Sequence, residues 1–279
     1  MAASTHTSVL KHHFDRLDQQ HASERLGMWM FLATEVLFFS GLFGAYTVYR
    51  LYYPTEFEFA SSKLNRVIAT INTLFLITSS MTITFGIRSA KLGDRSGLIR
   101  YLVLTLLLGT AFMVLKAFEY TADYEERYMP GTLFRSEYNA AFEAIFPTDP
   151  QQKPLSREEA KLYFEKDAQS EHPKHQHWAA ELVLLNYRKS TADPDYIDPG
   201  KVQLFLSFYY IMTGIHGIHI LAGLGCLIWL IIEAARDAIP PENYSTVEVV
   251  SLYWHLVDGI WLFLMPLLYL AGAGWVATY

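Results

Sequence analysis

Five ionisable side chains stand out because they lie in apolar surroundings: Glu35, His216, His219, His255 and Asp258. Glu35 is the single charged residue in Leu26–Tyr49, LGMWMFLATEVLFFSGLFGAYTVY. That run is long enough to cross a hydrocarbon core of ~30 Å at ~1.5 Å per residue. A carboxyl group there costs on the order of 3 kcal/mol or more unless it is protonated, paired or wetted. His216 and His219 are i,i+3 neighbours in TGIHGIHILAG, as are His255 and Asp258 in LYWHLVDG, so each pair shares a helix face. Three chemistries fit such a set. A buried polar network can pin helix packing. Histidines with carboxylates can ligate iron or copper, which would make the chain a stand-alone membrane metalloenzyme built on His216, His219 and His255. An intramembrane acid can instead serve in proton or lipid handling. Against the metal reading, the sequence has no second intramembrane histidine pair for a haem stack and no Glu-x-x-His motif.

The elements that must position these groups are apolar helices. The composition is 52% apolar and 15% aromatic with only 18% charged, which departs from an ordinary soluble domain. Besides Leu26–Tyr49, apolar runs cover Ile68–Ile87, Tyr101–Phe118, Leu204–Ile232 and Val249–Trp275, giving an all-α chain with five transmembrane helices. The expected organisation is a polar arm over 1–25, helices 1–3 over 26–120, an insert over 121–200 and helices 4–5 over 201–279. The arm, with His6, His12, His13 and His21, has no apolar stretch before a small-residue cleavage site, so no signal peptide is expected. Its irregular histidine spacing reads as a solvated tail. Cys226 is the only cysteine, which excludes an internal disulfide and a cysteine-rich metal site. No phosphate-cradling glycine loop, nucleophile elbow or basic nucleic-acid patch is present.

Charge sets the expected orientation. With the N-terminus inside, the inner segments hold Lys11, Arg16, Arg25, Arg88, Lys91, Arg95, Arg100 and Arg236, against Arg50, Lys63 and Arg66 in the short outer loop. The excess favours N-inside and C-outside. At ~1.5 Å per residue, Glu35 then lies roughly 13 Å from the inner boundary, His216 about 12 Å, and His255 and Asp258 roughly 9 and 13 Å. All five groups thus fall at one depth, with His219 a turn nearer the inside. Gly214, Gly217, Gly223 and Gly225 let another helix come close to the fourth span, so that Glu35 can reach a histidine across the interface.

The insert between Thr121 and Gly200 holds 15 acidic and 9 basic residues, and so carries the whole net charge of −6. Ser156-x-x-Glu159 predicts a capping box ahead of an amphipathic helix, and a second helix is expected over His177–Tyr187. Frequent prolines punctuate the rest, so short helices forming a cap are expected rather than an independent domain. Near the outer end of the third span, Lys116 and Glu119 are spaced as an i,i+3 ion pair.

At this point whole segments become familiar. TEVLFFSGLF around Glu35, LNRVIATINTLFLITSS, LLLGTAFMVLKAFEYTAD, TGIHGIHILAG and LYWHLVDGIWLFLMPLLYL resemble, in order, helices of subunit III of the haem–copper oxidases, in the five-helix form that lacks the first two of seven. The resemblance implies an accessory chain of aerobic electron transport with no haem, copper or catalytic centre of its own. It implies a place against oxidase subunit I, with subunit II in the same assembly and haem and copper in those partners. Bound phospholipid, support of proton uptake and of lasting turnover, and a bacterial inner-membrane location follow from it. The acid that Glu35 matches is carbodiimide-reactive in that family. Electrons would come from cytochrome c, or from a quinol in the alternative. The long insert departs from the family pattern. Its acidic surface is expected to meet a cytochrome c domain or a quinol-oxidising complex in a supercomplex.

Overall fold

A computed structural model describes residues 13–149, 151–170, 173–187, 189, 191, 193 and 195–274. His6, His12, Lys11, Pro194 and Trp275 lie outside the described residues. Within them the structure is helical without a strand. Five helices are long and apolar enough to cross a membrane: α1 (Leu17–Tyr52), α3 (Arg66–Lys91), α4 (Arg95–Glu125), α8 (Pro199–Ala235) and α9 (Ser245–Tyr269). Four short ones complete the set: α2 (Pro54–Ser62), α5 (Thr132–Ile145), α6 (Arg157–Ala168) and α7 (His177–Leu185). The first four spans run several residues beyond the apolar runs at both ends, because their flanking charges and polar side chains stay helical while reaching water. The fifth stops at Tyr269, short of the Trp275 expected from hydropathy, and continues as a turn. Two helices were not anticipated: α2, in what reads as a short outer loop, and α5, in the insert.

The chain divides into two compact units. The first comprises the chain up to Phe43 with Thr70–Leu115 and Gly214–Leu264. Its core is Trp254, fully buried. Gly109 on α4 and Gly223 on α8 flank the indole so closely that a Cβ on either would sit 2.7 and 2.9 Å from ring atoms. The indole Nε1 donates to Ser79 Oγ on α3 at 3.0 Å, so four helices meet on one side chain. The starts of α1, α4 and α9 are tied to the ends of α3 and α8. Ser245 donates to Glu24 at 2.7 Å, Lys91 approaches Glu248 at 3.4 Å, and Arg95 donates to the carbonyls of Ala234 (2.8 Å) and Ala235. These termini meet as alternating up-and-down helices require.

The second unit comprises Gly44–Ala69, Lys116–Thr213 and the chain from Met265. The insert packs here against α2 and the neighbouring span ends. Tyr128 hydroxyl donates to Ala60 O at 3.2 Å, Trp178 Nε1 to Glu126 O at 3.0 Å, and Lys63 pairs with Glu181. Burial in this packing pushes the Tyr128 phenol well above its ordinary range. α6 carries the expected capping box: Ser156 N donates to Glu159 Oε2 at 2.7 Å and Glu159 N to Ser156 Oγ at 3.4 Å. The turn after α9 is fastened to α2: Gly272 N donates to Ser61 Oγ (2.9 Å), Ser61 Oγ to Leu268 O (2.6 Å), and Arg66 to Gly272 O (2.6 Å). Only glycine fits, since a Cβ at 272 would lie 2.4 Å from the Glu58 carbonyl oxygen.

Candidate functional site

In the first unit, Glu35 on α1 meets His219 on α8: Nε2 and Oε2 are 2.9 Å apart. The other ring nitrogen, Nδ1, lies 2.9 Å from Ile215 O, one turn back on α8. A carbonyl only accepts, so Nδ1 carries a proton. One further proton lies between Nε2 and the carboxyl group. It is held by the acid, giving a neutral pair, or by the ring, giving an imidazolium–carboxylate pair; either way the net charge is zero. This offsets the cost of an acid in apolar surroundings without fixing the proton on one atom. Phe39 packs its edge on the His219 ring, with centroids 5.5 Å apart, and Tyr253 hydroxyl donates to His219 O at 3.0 Å. The two side chains keep 18% and 19% of their surface exposed, enough for contact with a lipid, water or partner chain.

The remaining members of the set are not gathered around that pair. His216, one turn earlier on α8, is buried against aromatic rings, stacked on Trp261 at 5.3 Å and met edge-on by Phe112 at 5.7 Å. His255 on α9 turns to α3, with Nδ1 2.6 Å from Ser80 Oγ. Asp258 lies 3.4 Å from Ser79 Oγ. Among the described residues no three His, Cys, Asp or Glu side chains come close enough to hold a metal ion. Equal depth is therefore not equal azimuth: α8 presents His219 to α1, while α9 presents His255 and Asp258 to α3. An apolar groove of ≈ 570 Å³ between α1 and α9, lined by Trp29, Val36, Leu37, Leu252 and His255, runs beside Glu35's helix.

In the second unit, Lys116 donates to Glu119 Oε2 at 3.0 Å, and the pair is not alone. Lys116 Nζ also reaches the hydroxyls of Tyr209 (3.2 Å) and Tyr269 (2.8 Å). Both tyrosines donate to Glu119 Oε1, at 2.8 and 2.6 Å. All four residues are buried, at 6% exposure or less. Beside them Tyr210 donates to Asp123 at 2.9 Å and Tyr120 meets Thr213 at 2.6 Å. Sequence reasoning found the ion pair and missed the tyrosines. Their signal was the adjacent Tyr209–Tyr210 in an otherwise apolar helix, since a buried phenol needs a partner.

The family described as cytochrome c oxidase subunit III matches residues 8–126 and 201–273, which hold α1, α3, α4 and α9 whole and α8 from its third residue. Probable cytochrome c oxidase subunit 3 of Nocardia farcinica is 25% identical over 244 residues, 88% of this chain and 86% of that protein. Cytochrome c oxidase subunit 3 of Corynebacterium diphtheriae is 25% identical over 246 residues, with the same coverage. Quinol oxidase subunit 3 of Bacillus spizizenii is 22% identical over 250 residues, 89% of this chain and 87% of that protein. The segment 127–200 lies outside the family match, and it holds α5, α6 and α7 as well as the start of α8. Both the acid–histidine pair and the lysine–tyrosine cluster are built from matched segments. With the match spanning well over half its length, this chain belongs to the cytochrome c oxidase subunit III family.

Proposed function

We propose that this chain is the accessory subunit III of a haem–copper terminal oxidase that takes electrons from cytochrome c. Family membership carries the association with other oxidase subunits and a multi-pass membrane location. The finer reading is that it lies against subunit I, beside subunit II, in a bacterial inner membrane with its N-terminus inside. Oxygen reduction belongs to haem and copper in those partners. This chain contributes a lipid-facing, proton-exchanging acid close to the path by which subunit I takes up protons.

The observation that supports this role is the Glu35–His219 pair: neutral overall, partly exposed, and holding one proton shared by an acid and an imidazole at 2.9 Å. The groove beside it is apolar, suited to an acyl chain of a phospholipid. The orientation is supported by the cluster of Arg25, Lys91, Arg95 and Arg236 around the joined helix ends of the first unit. The acidic insert, lying outside the family match, is a docking surface for a cytochrome c domain, or for a quinol-oxidising complex if the donor differs.

Purification in mild detergent by a tag on this chain is the direct test. Subunits I and II should co-purify with haem at fixed stoichiometry to this chain. Recovery of the chain alone, with iron or copper bound to it, would instead favour a stand-alone metalloenzyme. A quinol donor is favoured over cytochrome c if the complex turns over with quinol alone.

A further inference from the structure

A second cavity in the first unit, ≈ 420 Å³, opens between α3 and α9. It is separate in chemistry from the Glu35–His219 pair, although His255 borders both this cavity and the groove beside α1. Asp258 forms its polar wall. That carboxyl group is 5% exposed, and its Oδ1 has no hydrogen-bond partner in the protein.

Counting protons around it defines what the cavity presents. Ser79 has one hydroxyl proton, which goes to Leu76 O at 2.7 Å. Its oxygen accepts from Trp254 Nε1 at 3.0 Å. That hydroxyl also donates, at the longer distance of 3.4 Å, to Asp258 Oδ2. Ser80, the other hydroxyl near Asp258, lies 2.6 Å from His255 Nδ1. Thr84 donates to Ser80 O at 2.9 Å, and His255 Nε2 lies between the hydroxyls of Thr84 (3.4 Å) and Ser251 (3.3 Å). Asp258 Oδ1 is thereby the acceptor on this wall that no donor of the protein meets. A buried acceptor left without a donor costs about 1–3 kcal/mol.

The rest of the lining is apolar. Met81, Phe85 and Leu262, at 57%, 44% and 48% exposure, frame the mouth, and all belong to spanning helices. A guest therefore arrives from the hydrocarbon phase, with an apolar body and a single hydroxyl donor. No lysine or arginine lines the cavity to receive a phosphate, so a charged phospholipid head does not fit. The volume falls within the roughly 300–1,000 Å³ of small-molecule pockets, larger than one water needs.

We propose that this cavity binds an uncharged, hydroxyl-bearing membrane amphiphile whose O–H donates to Asp258 Oδ1. Two sources share that chemistry, a hydroquinone ring and the free hydroxyl of a diacylglycerol. The site does not depend on the electron donor or on the role of Glu35.

Binding of two probes, tetramethylhydroquinone and dioctanoylglycerol, to the purified detergent-solubilised complex tests it, each beside its O-methyl ether. At least one probe should bind saturably, and its ether at least tenfold more weakly; which probe binds identifies the source. Asp258→Leu should abolish binding. Asp258→Asn should retain it, because the amide donates to Ser79 and keeps an oxygen toward the cavity. Leu262→Trp, at an exposed wall position, should abolish it by filling the space. Equal binding of probe and ether, loss with Asp258→Asn, unchanged binding to Asp258→Leu or Leu262→Trp, or no saturable binding of either probe would each overturn the proposal.

Discussion

The Glu35–His219 pair of the first unit and the Lys116–Glu119 cluster of the second solve one problem in two ways. Each places an acid in a helix long and apolar enough to span a membrane. Glu119 receives three donors, one from Lys116 and two from tyrosines, and all four side chains are buried. Glu35 has one partner and remains partly exposed. The cluster spends its hydrogen-bonding capacity internally and has no proton position left to exchange with its surroundings. The pair keeps a proton that can sit on either of two atoms, and keeps a face open. Saturation marks a structural node, and incomplete saturation marks a group available for chemistry.

The largest effect should come from breaking the saturated node. Lys116→Met strands Glu119 among tyrosines and should destabilise the second unit by about 3–5 kcal/mol, read as lost thermal stability or failed insertion. Adding Glu119→Gln should recover much of that loss, because the buried charge goes with its partner. A single mutant as stable as the parent would erase the contrast between the two regions.

Glu35→Gln should act in the opposite way. The amide can still donate to His219 Nε2 while Nδ1 donates to Ile215 O, so stability should change by less than about 1 kcal/mol. The transferable proton is gone, however, so proton uptake or the lifetime of turnover should fall while assembly is retained. Failure to assemble would make this pair a packing device like the other.

The most local effect calibrates both against a polar node in water. Ser156→Ala removes the capping box of α6 and should cost about 1 kcal/mol, read by amide exchange along Arg157–Ala168. Glu159, fully exposed, is held below the usual carboxylate range, first by the Ser156 backbone N–H and then by its side chain. A depressed folded-state value means that this contribution is complete above the unfolded carboxylate range and fades as pH falls through the folded value. Protection of α6 should therefore weaken on acidification in the parent, and less so in the mutant.

The five spans, the capping box and the start of α7 were legible because hydropathy, Ser156-x-x-Glu159 and the apolar run after His177 are local signals. Azimuth was not. Residues 216 and 219 are three apart and share a face, so no count of residues along α8 distinguishes which reaches Glu35; the packing of α1 decides it for His219. α5 carried a readable stripe at Phe134, Glu137, Ala141 and Ile145, but its second member is a carboxylate. That carboxylate is buried because Gln176 N and Arg127 donate to it, partners remote from the stripe itself. α2 announced itself only by Pro54 at its first turn, a weak signal beside the charges around it.

The fastening of Gly272 to α2 has a consequence for biogenesis. Residues 54–62 leave the ribosome some two hundred residues before Gly272 does, yet Ser61 and Arg66 have partners in that last turn. Until Gly272 is synthesised and seated, those partners are lacking and the surface that α2 offers to the turn is open. Completion of the second unit thus waits on the synthesis of Gly272. A bulky residue at 272 would leave the helices inserted in order but the final seam unclosed.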